Sequence, residues 1–148
     1  PLVVLCDTPG FMVGPEHEER GAVRRLAQLF VAGSQLTVPL VAVVLRKCYG
    51  LGAQALLGGN TSQPSYTIAW PTGEFGAMGL EGAVKLGFKK ELAAVQDTSA
   101  RKALYEQLLA AQYQKGQAQE VASVLEIDAV IEPANTRQTL LLALNITK

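Results

Sequence analysis

The chain has 148 residues, of which 49% are hydrophobic and 18% are charged, and its mean hydropathy is +0.19. This length suffices for one domain with a sizeable core, and the apolar composition argues against disorder. Lys plus Arg and Asp plus Glu both number 13, so no net charge points to nucleic acid as a partner. Charged residues fall below the roughly 25% of an average soluble domain, which favours an interface with another chain or domain.

The chain opens on elements typical of an α/β protein. The apolar run Leu2–Cys6 predicts a strand buried on both faces. A loop rich in Pro and Gly follows over Asp7–Pro15. One helix is predicted from about Pro15 to about Gln35, because acidic residues favour its start and apolar residues recur at helical spacing. Because the chain begins directly on an apolar strand without a methionine, we expect it to be a piece of a longer polypeptide.

The most informative stretch is Pro39–Ala53. The β-branched run Val41–Leu45 predicts a buried strand, and it leads through Arg46–Tyr49 into a glycine turn at the start of a small-residue helix. Glycine lets a ligand approach the backbone, and a helix N-terminus offers unpaired N–H groups with a partial positive charge. Together these features favour a site that stabilises an oxyanion through main-chain donors.

The second half of the chain continues the alternation of strands and helices. Strands are predicted at Tyr66–Trp70, at the start of Gly73–Gly79, and at Asp128–Ile131. Helices are predicted at Leu80–Phe88, from a cap at Thr98 or Ser99 to about Gln114, at Ala118–Leu125, and from a cap at Asn135 or Thr136 through Leu144. No hairpin signal and no repeat occurs, so an α/β class is favoured. The longest apolar runs are too short to span a bilayer.

Two cysteines, Cys6 and Cys48, lie in or beside these strand-like segments. Buried reduced thiols are the favoured interpretation, with a disulfide or a nucleophile as the minor alternatives, and this fits a reducing compartment. No cluster with metal-ligand spacing is visible. The segment Val4–Gly10 also resembles the strand and Asp-x-x-Gly of a GTPase. The sequence contains no Gly-x-x-x-x-Gly-Lys-Ser/Thr loop, which disfavours that interpretation.

Several landmarks occur together in order. They are Asp7–Phe11, Thr37–Pro39, Arg46–Gly52, Ala69–Thr72, Ala77–Gly79, Glu81–Ala83 and Ile127–Arg137. This ordered set resembles the C-terminal half of the carboxyltransferase (beta) subunit of biotin-dependent acyl-CoA carboxylases, and the resemblance extends over nearly the whole chain. It implies a crotonase-like (ClpP-like) α/β fold built from repeated β-β-α units around a twisted sheet. Residues 1–148 would then form a single domain, and the N-terminal acyl-CoA-binding half would lie outside this sequence.

The resemblance also implies an activity and its partners. The reaction would be carboxyl transfer from carboxybiotin, carried on a partner protein or domain, to the α-carbon of an acyl-CoA. This chain would supply the biotin-side half of the site and be inactive alone. The implied partners are the N-terminal carboxyltransferase half, a biotin carboxylase or biotin carrier subunit, and further copies in a dimer or hexamer. The implied location is the cytoplasm, or the mitochondrial matrix in a eukaryote.

Eight residues are predicted to form the site. The oxyanion hole is placed at the backbone N–H groups of Leu51 and Gly52, within the turn Gly50–Ala53. Pro9, Gly10 and Phe11 are expected to line the opposite wall near biotin, while Tyr49 packs either beside the biotin or acyl group or as a core aromatic. Two alternatives remain open at this point: a biotin-dependent acyl-CoA decarboxylase subunit, and a non-catalytic dimerisation or assembly module.

Overall fold

A twisted sheet of parallel strands forms the centre of the molecule in the computed structural model, which describes residues 1–146. Its strands are β1 (Leu2–Thr8), β2 (Leu40–Tyr49), β3 (Tyr66–Ala69), β4 (Glu74–Gly76) and β5 (Ala129–Val130). They lie in the order β1-β2-β3-β5, and all of their pairings are parallel. Strand β4 pairs with the last residues of β2, beyond the stretch that pairs with β3. The all-parallel pairing confirms the predicted α/β class.

The helices follow the predicted order, with three corrections. They are α1 (Pro15–Glu19), α2 (Ala22–Ser34), α3 (Gly50–Leu56), α4 (Leu80–Gly87), α5 (Lys89–Ala94), α6 (Thr98–Lys115), α7 (Ala118–Ser123) and α8 (Thr136–Ile146), the last preceded by a 3-10 turn at Pro133–Asn135. The single helix predicted from Pro15 to Gln35 is wrong, because Gly21 adopts a left-handed conformation with φ 72° and separates α1 from α2. Helix α5 was not predicted. The cap of α6 is Asp97, whose carboxylate accepts from the N–H of Ala100 at 2.7 Å, and not Thr98 or Ser99.

Strand β2 is the most deeply buried element. Residues 41–44 of this strand have no exposed surface, and the core around them includes both cysteines, which are free thiols as predicted. The prediction that Leu2–Cys6 is buried on both faces is wrong for this chain. Strand β1 pairs only with β2, so it is an edge strand, and the side chain of Leu5 is 60% exposed. Only Cys6 in this strand is fully buried.

The pairing of β1 with β2 contains an irregularity that shapes the C-terminal end of the sheet. Cys6 is opposite Val44, but Thr8 is opposite Cys48, so β2 has two more residues than β1 in this interval. The carboxylate of Asp7 fills the gap by accepting from the N–H of Lys47 at 3.0 Å and from the guanidinium of Arg46 at 3.2 Å. Both of these hydrogen bonds run to the neighbouring strand β2.

Candidate active site

The segments that follow β1, β2 and β4 converge at the C-terminal edge of the sheet and enclose a cavity of about 500 Å³. Ligands bind at this edge in open parallel sheets, because the loops and helix N-termini gather there. The lining comes from the loop after β1, from α1, from the first turns of α2, α3 and α4, and from the turn after β4. It comprises Pro9–Val13, Glu18, Ala22, Val23, Leu26, Gly50, Leu51, Ala77–Gly79 and Gly82.

Two glycines allow these segments to touch. Gly50 has φ +57°, and a Cβ at this position would lie 2.8 Å from the carbonyl oxygen of Ala77. Gly52 faces Gly10 so closely that a Cβ on it would lie 2.9 Å from both the Cα and the carbonyl carbon of Gly10. The sequence between Tyr49 and Ala53 therefore uses glycine where two backbones approach, as the turn requires.

The structure brings five of the eight predicted site residues to the cavity. Pro9, Gly10 and Phe11 form one wall, and Gly50 and Leu51 form the adjoining one. The side chain of Leu51 is 59% exposed. The other three predicted site residues, Tyr49, Gly52 and Ala53, do not line this cavity.

Those three residues are buried beside the cavity. Gly52 lies behind the wall, against Gly10. Ala53 lines a neighbouring cavity of about 540 Å³ that Gly50 and Ala77 also border. Tyr49 is only 3% exposed, which leaves little of its surface for a ligand, so its contact with biotin stays a prediction.

Tyr49 makes a short polar contact next to the cavity. Its hydroxyl donates to the carboxylate of Glu74 at 2.6 Å. Burial, followed by the hydrogen bond and charge of Glu74, raises the pKa of Tyr49. A second pair lies nearby, in which the hydroxyl of Tyr113 donates to Glu81 at 2.9 Å. This hydrogen bond raises the pKa of Tyr113. Both tyrosines thus remain protonated donors at neutral pH.

Asp7 lies near the end of β1, just before the loop that carries Pro9 and Gly10. Its hydrogen bond from the Lys47 N–H, assisted by the Arg46 guanidinium, holds the pKa of the carboxyl below its usual range. The Asp7 side chain is ionised at neutral pH and ties β1 to β2. Its partners identify Asp7 as a residue that shapes the backbone and not as an acid or base.

The turn after β4 is a part of the cavity wall that no sequence pattern predicts. Ala77, Met78 and Gly79 line the cavity. Parallel pairing of β4 with the end of β2, in which Tyr49 is opposite Gly76, places this turn beside Gly50. That pairing joins residues that are 27 positions apart in the chain, so no local pattern indicates it.

Two further features concern metal binding and membrane insertion. Within residues 1–146, no group of three or more His, Cys, Asp or Glu side chains is arranged to hold a metal ion. In the same range, no helix has both the length and the apolarity needed to cross a membrane.

Comparison with known proteins assigns the family. The carboxyl transferase domain family matches residues 1–148. This chain belongs to that family. It is 37% identical over 146 residues to the methylmalonyl-CoA carboxyltransferase 12S subunit of Propionibacterium freudenreichii subsp. shermanii, a match that covers 99% of the chain and 27% of that protein. It is 35% identical to the propionyl-CoA carboxylase carboxyltransferase subunit of Haloferax mediterranei, over 100% of the chain and 28% of that protein.

Solved structures agree with this assignment. A transcarboxylase 12S hexamer structure with methylmalonyl-CoA bound superposes with a TM-score of 0.88 at 35% identity, over 99% of this chain and 28% of that one. A single-chain, multi-domain long-chain acyl-CoA carboxylase superposes with a TM-score of 0.82 at 50% identity, over 97% of this chain and 14% of that one. The predicted crotonase-like α/β fold is confirmed. The chain spans less than a third of the length of the curated relatives named above.

Proposed function

We propose that this carboxyl transferase domain catalyses, with a second half-site, carboxyl transfer between carboxybiotin and the α-carbon of an acyl-CoA thioester. Residues 1–148 are the C-terminal half of a longer subunit in this proposal, and they supply the biotin side of the site. The observation that carries it is the 500 Å³ cavity that Pro9–Phe11 lines together with Gly50 and Leu51 at the carboxyl ends of parallel strands. The match of the whole chain to the family supports the same chemistry.

The cavity suits the ureido ring of biotin in size and in chemistry. Its volume lies within the range of about 300–1,000 Å³ that small-molecule sites occupy. The side chains of Phe11, Leu51 and Met78 give it apolar walls, and Gly10 and Gly50 contribute backbone to the lining. Biotin, when bound, would supply the carboxyl group and the base for the reaction.

This chain would contribute backbone N–H donors that are fixed in place before the reaction. The N–H groups of Gly50, Leu51 and Gly52, in the first turn of α3, precede the first intrahelical hydrogen bond and carry the positive end of the helix dipole. We assign the N–H groups of Leu51 and Gly52 to the developing negative charge on the biotin ureido oxygen. Each such donor is worth about 3 kcal/mol in comparable oxyanion holes. Pro9, Gly10 and Phe11 would position the ring and exclude water.

The rest of the site would come from other parts of the enzyme. We propose that the N-terminal half of a carboxyltransferase subunit binds the CoA, that a biotin carboxylase and biotin carrier deliver the carboxyl group, and that the enzyme is a homo-oligomer in the cytoplasm or mitochondrial matrix. The exposed apolar side chains of Leu2, Val3 and Leu5 on β1, with Val23 and Val31 on α2, support burial against such a partner. One related structure is described as a hexamer.

The test is an assay of the intact parent subunit. Biotin- or biocytin-dependent loss of the carboxyl group is measured with malonyl-CoA, methylmalonyl-CoA and methylglutaconyl-CoA. An α-carboxylated long-chain acyl-CoA joins the panel, because the 50% identical structure is a long-chain acyl-CoA carboxylase. Turnover that requires biotin would support the proposal and identify the acyl group. A folded oligomer that turns over none of these compounds would contradict it and favour the assembly-module alternative.

A decarboxylase subunit that runs the transfer in the opposite direction uses the same cavity. The two directions are distinguished by reconstitution with a biotin carboxylase, ATP and bicarbonate. Net formation of the carboxylated acyl-CoA would support the carboxylase, and failure of this step with retained decarboxylation would support the alternative.

A further inference from the structure

Tyr49 and Glu74 connect β2 and β4, the two strands that lead into adjoining parts of the cavity wall. Tyr49 is the last residue of β2 and Glu74 is the first residue of β4. The segments after these strands, beginning at Gly50 and at Ala77, both line the cavity. The 2.6 Å hydrogen bond from the Tyr49 hydroxyl to the Glu74 carboxylate therefore links the two strands that lead into these segments, outside the cavity itself.

The surroundings hold both partners of this hydrogen bond in place. The Cδ1 atom of Tyr49 lies 3.5 Å from the position that a Cβ on Gly76 would take, so the ring packs on β4 along its length. Strand β4 is fixed on its other side, where the N–H of Phe75 donates to the Gly116 carbonyl at 2.8 Å and the N–H of Ala118 donates to the Gly73 carbonyl at 3.0 Å. Glu74, which accepts from the Tyr49 hydroxyl, therefore belongs to a strand that is hydrogen-bonded to the junction of α6 and α7.

We infer that Tyr49 is a positioning residue of the carboxyl transfer reaction, acting through its hydrogen bond to Glu74 to set the separation of the Gly50 and Ala77 walls. This inference rests on the proposed function. Gly50 packs so closely against the Ala77 carbonyl that even a Cβ would not fit between these two parts of the wall. A small displacement of the end of β2 would change the direction of the N–H groups at Leu51 and Gly52, and catalysis depends steeply on such alignment.

The Tyr49 hydroxyl is the donor of this pair at neutral pH. The tyrosine donates and the carboxylate accepts, which makes the hydrogen bond charge-assisted and stronger than a bond between two neutral groups. Because the pKa of Tyr49 is raised, the hydroxyl keeps its proton. A positioning pair of this kind should change the size of the turnover and leave the shape of its pH profile unaltered.

The experiment uses Tyr49→Phe in the intact parent subunit, with Tyr113→Phe as the matched control. Both changes remove one hydroxyl that donates to a glutamate, and Tyr113 lines neither wall. In the biotin-dependent decarboxylation assay we expect Tyr49→Phe to lower kcat about tenfold, with KM for the acyl-CoA within about twofold. Tyr113→Phe should leave kcat within about twofold, and both variants should keep similar melting temperatures.

Glu74 supplies the second arm of the test. Glu74→Gln keeps an acceptor oxygen and should lose less activity than Glu74→Leu, while adding either change to Tyr49→Phe should cost little more. Equal kcat values for wild type, Tyr49→Phe and Glu74→Leu would overturn the inference. So would losses of activity that match losses of folded protein. If the wild-type subunit shows no biotin-dependent turnover, the proposed function fails and the inference falls with it.

Discussion

Gly52 at the start of α3 lies directly against Gly10 in the loop after β1, with backbone facing backbone. A Cβ added to Gly52 would come within 2.9 Å of two main-chain atoms of Gly10 and 3.2 Å of the N atom of Phe11. This contact joins the loop predicted to face biotin to the turn predicted to stabilise the oxyanion. The two segments are 42 residues apart in the chain, so they form one site only because β1 and β2 are neighbours in the sheet.

Gly52→Ala should destabilise the parent subunit, because the atoms that the new methyl group meets are backbone and cannot rotate away. The expected loss is about 1–3 kcal/mol, the usual cost of overpacking. Gly87→Ala is the control, since a Cβ at that exposed position in α4 meets nothing within 4 Å. Thermal unfolding checks both variants. A melting temperature for Gly52→Ala equal to that of Gly87→Ala would contradict the contact.

Leu51 offers a test of the oxyanion site that leaves the packing alone, because its side chain is exposed. An aspartate in the first turn of a helix favours the fold by about 0.3–1 kcal/mol. The same negative charge would oppose an oxyanion at the adjacent N–H groups. We therefore expect Leu51→Asp to keep or raise the melting temperature and to lower biotin-dependent turnover about tenfold relative to Leu51→Asn. Equal turnover of the two variants would remove Leu51 from the proposed site.

Asp7 predicts a specific acid dependence of stability. Its pKa is lower in the folded protein than in the unfolded chain, where it is about 3.9, so its contribution is present above that pH and is lost as the pH falls through the folded value. The side chain is about 35% exposed, so solvent limits the contribution to less than about 1 kcal/mol. Asp7→Asn should therefore be less stable than wild type at pH 7, and the difference should shrink near pH 3. A constant difference in chemical denaturation across this range would refute the assignment.

Asp97 is predicted to stabilise the first turn of α6, because its carboxylate accepts from the N–H of Ala100 at 2.7 Å. Asp97→Ala should cost about 1 kcal/mol, whereas Ser99→Ala should change stability by less than about 0.5 kcal/mol. Hydrogen exchange of peptides covering residues 98–104 reports this locally, and only Asp97→Ala should accelerate it. The opposite result would restore the cap that the sequence alone suggested.

Local chemistry determined much of what was predicted correctly. The run of β-branched residues before Arg46 and the glycines after Tyr49 identified β2, the turn and α3, because strand propensity and backbone freedom act over a few residues. The ordered landmarks identified the family and therefore the fold. Helix ends were less certain: Asp97, Thr98 and Ser99 are all good caps by type, and only the backbone conformation of Asp97 selects it.

Tertiary structure decided which residues meet. The exposure of Leu5 follows from the edge position of β1. An apolar run in the sequence does not show whether its strand will lie at the edge or in the centre of the sheet. Likewise, Tyr49 became a partner of Glu74, and Ala77 a wall of the cavity, only through the pairing of β4 with the end of β2. The sequence by itself determined the strand, the turn and the family, because those depend on neighbouring residues. The site depends on contacts between distant segments, and only the folded sheet creates them.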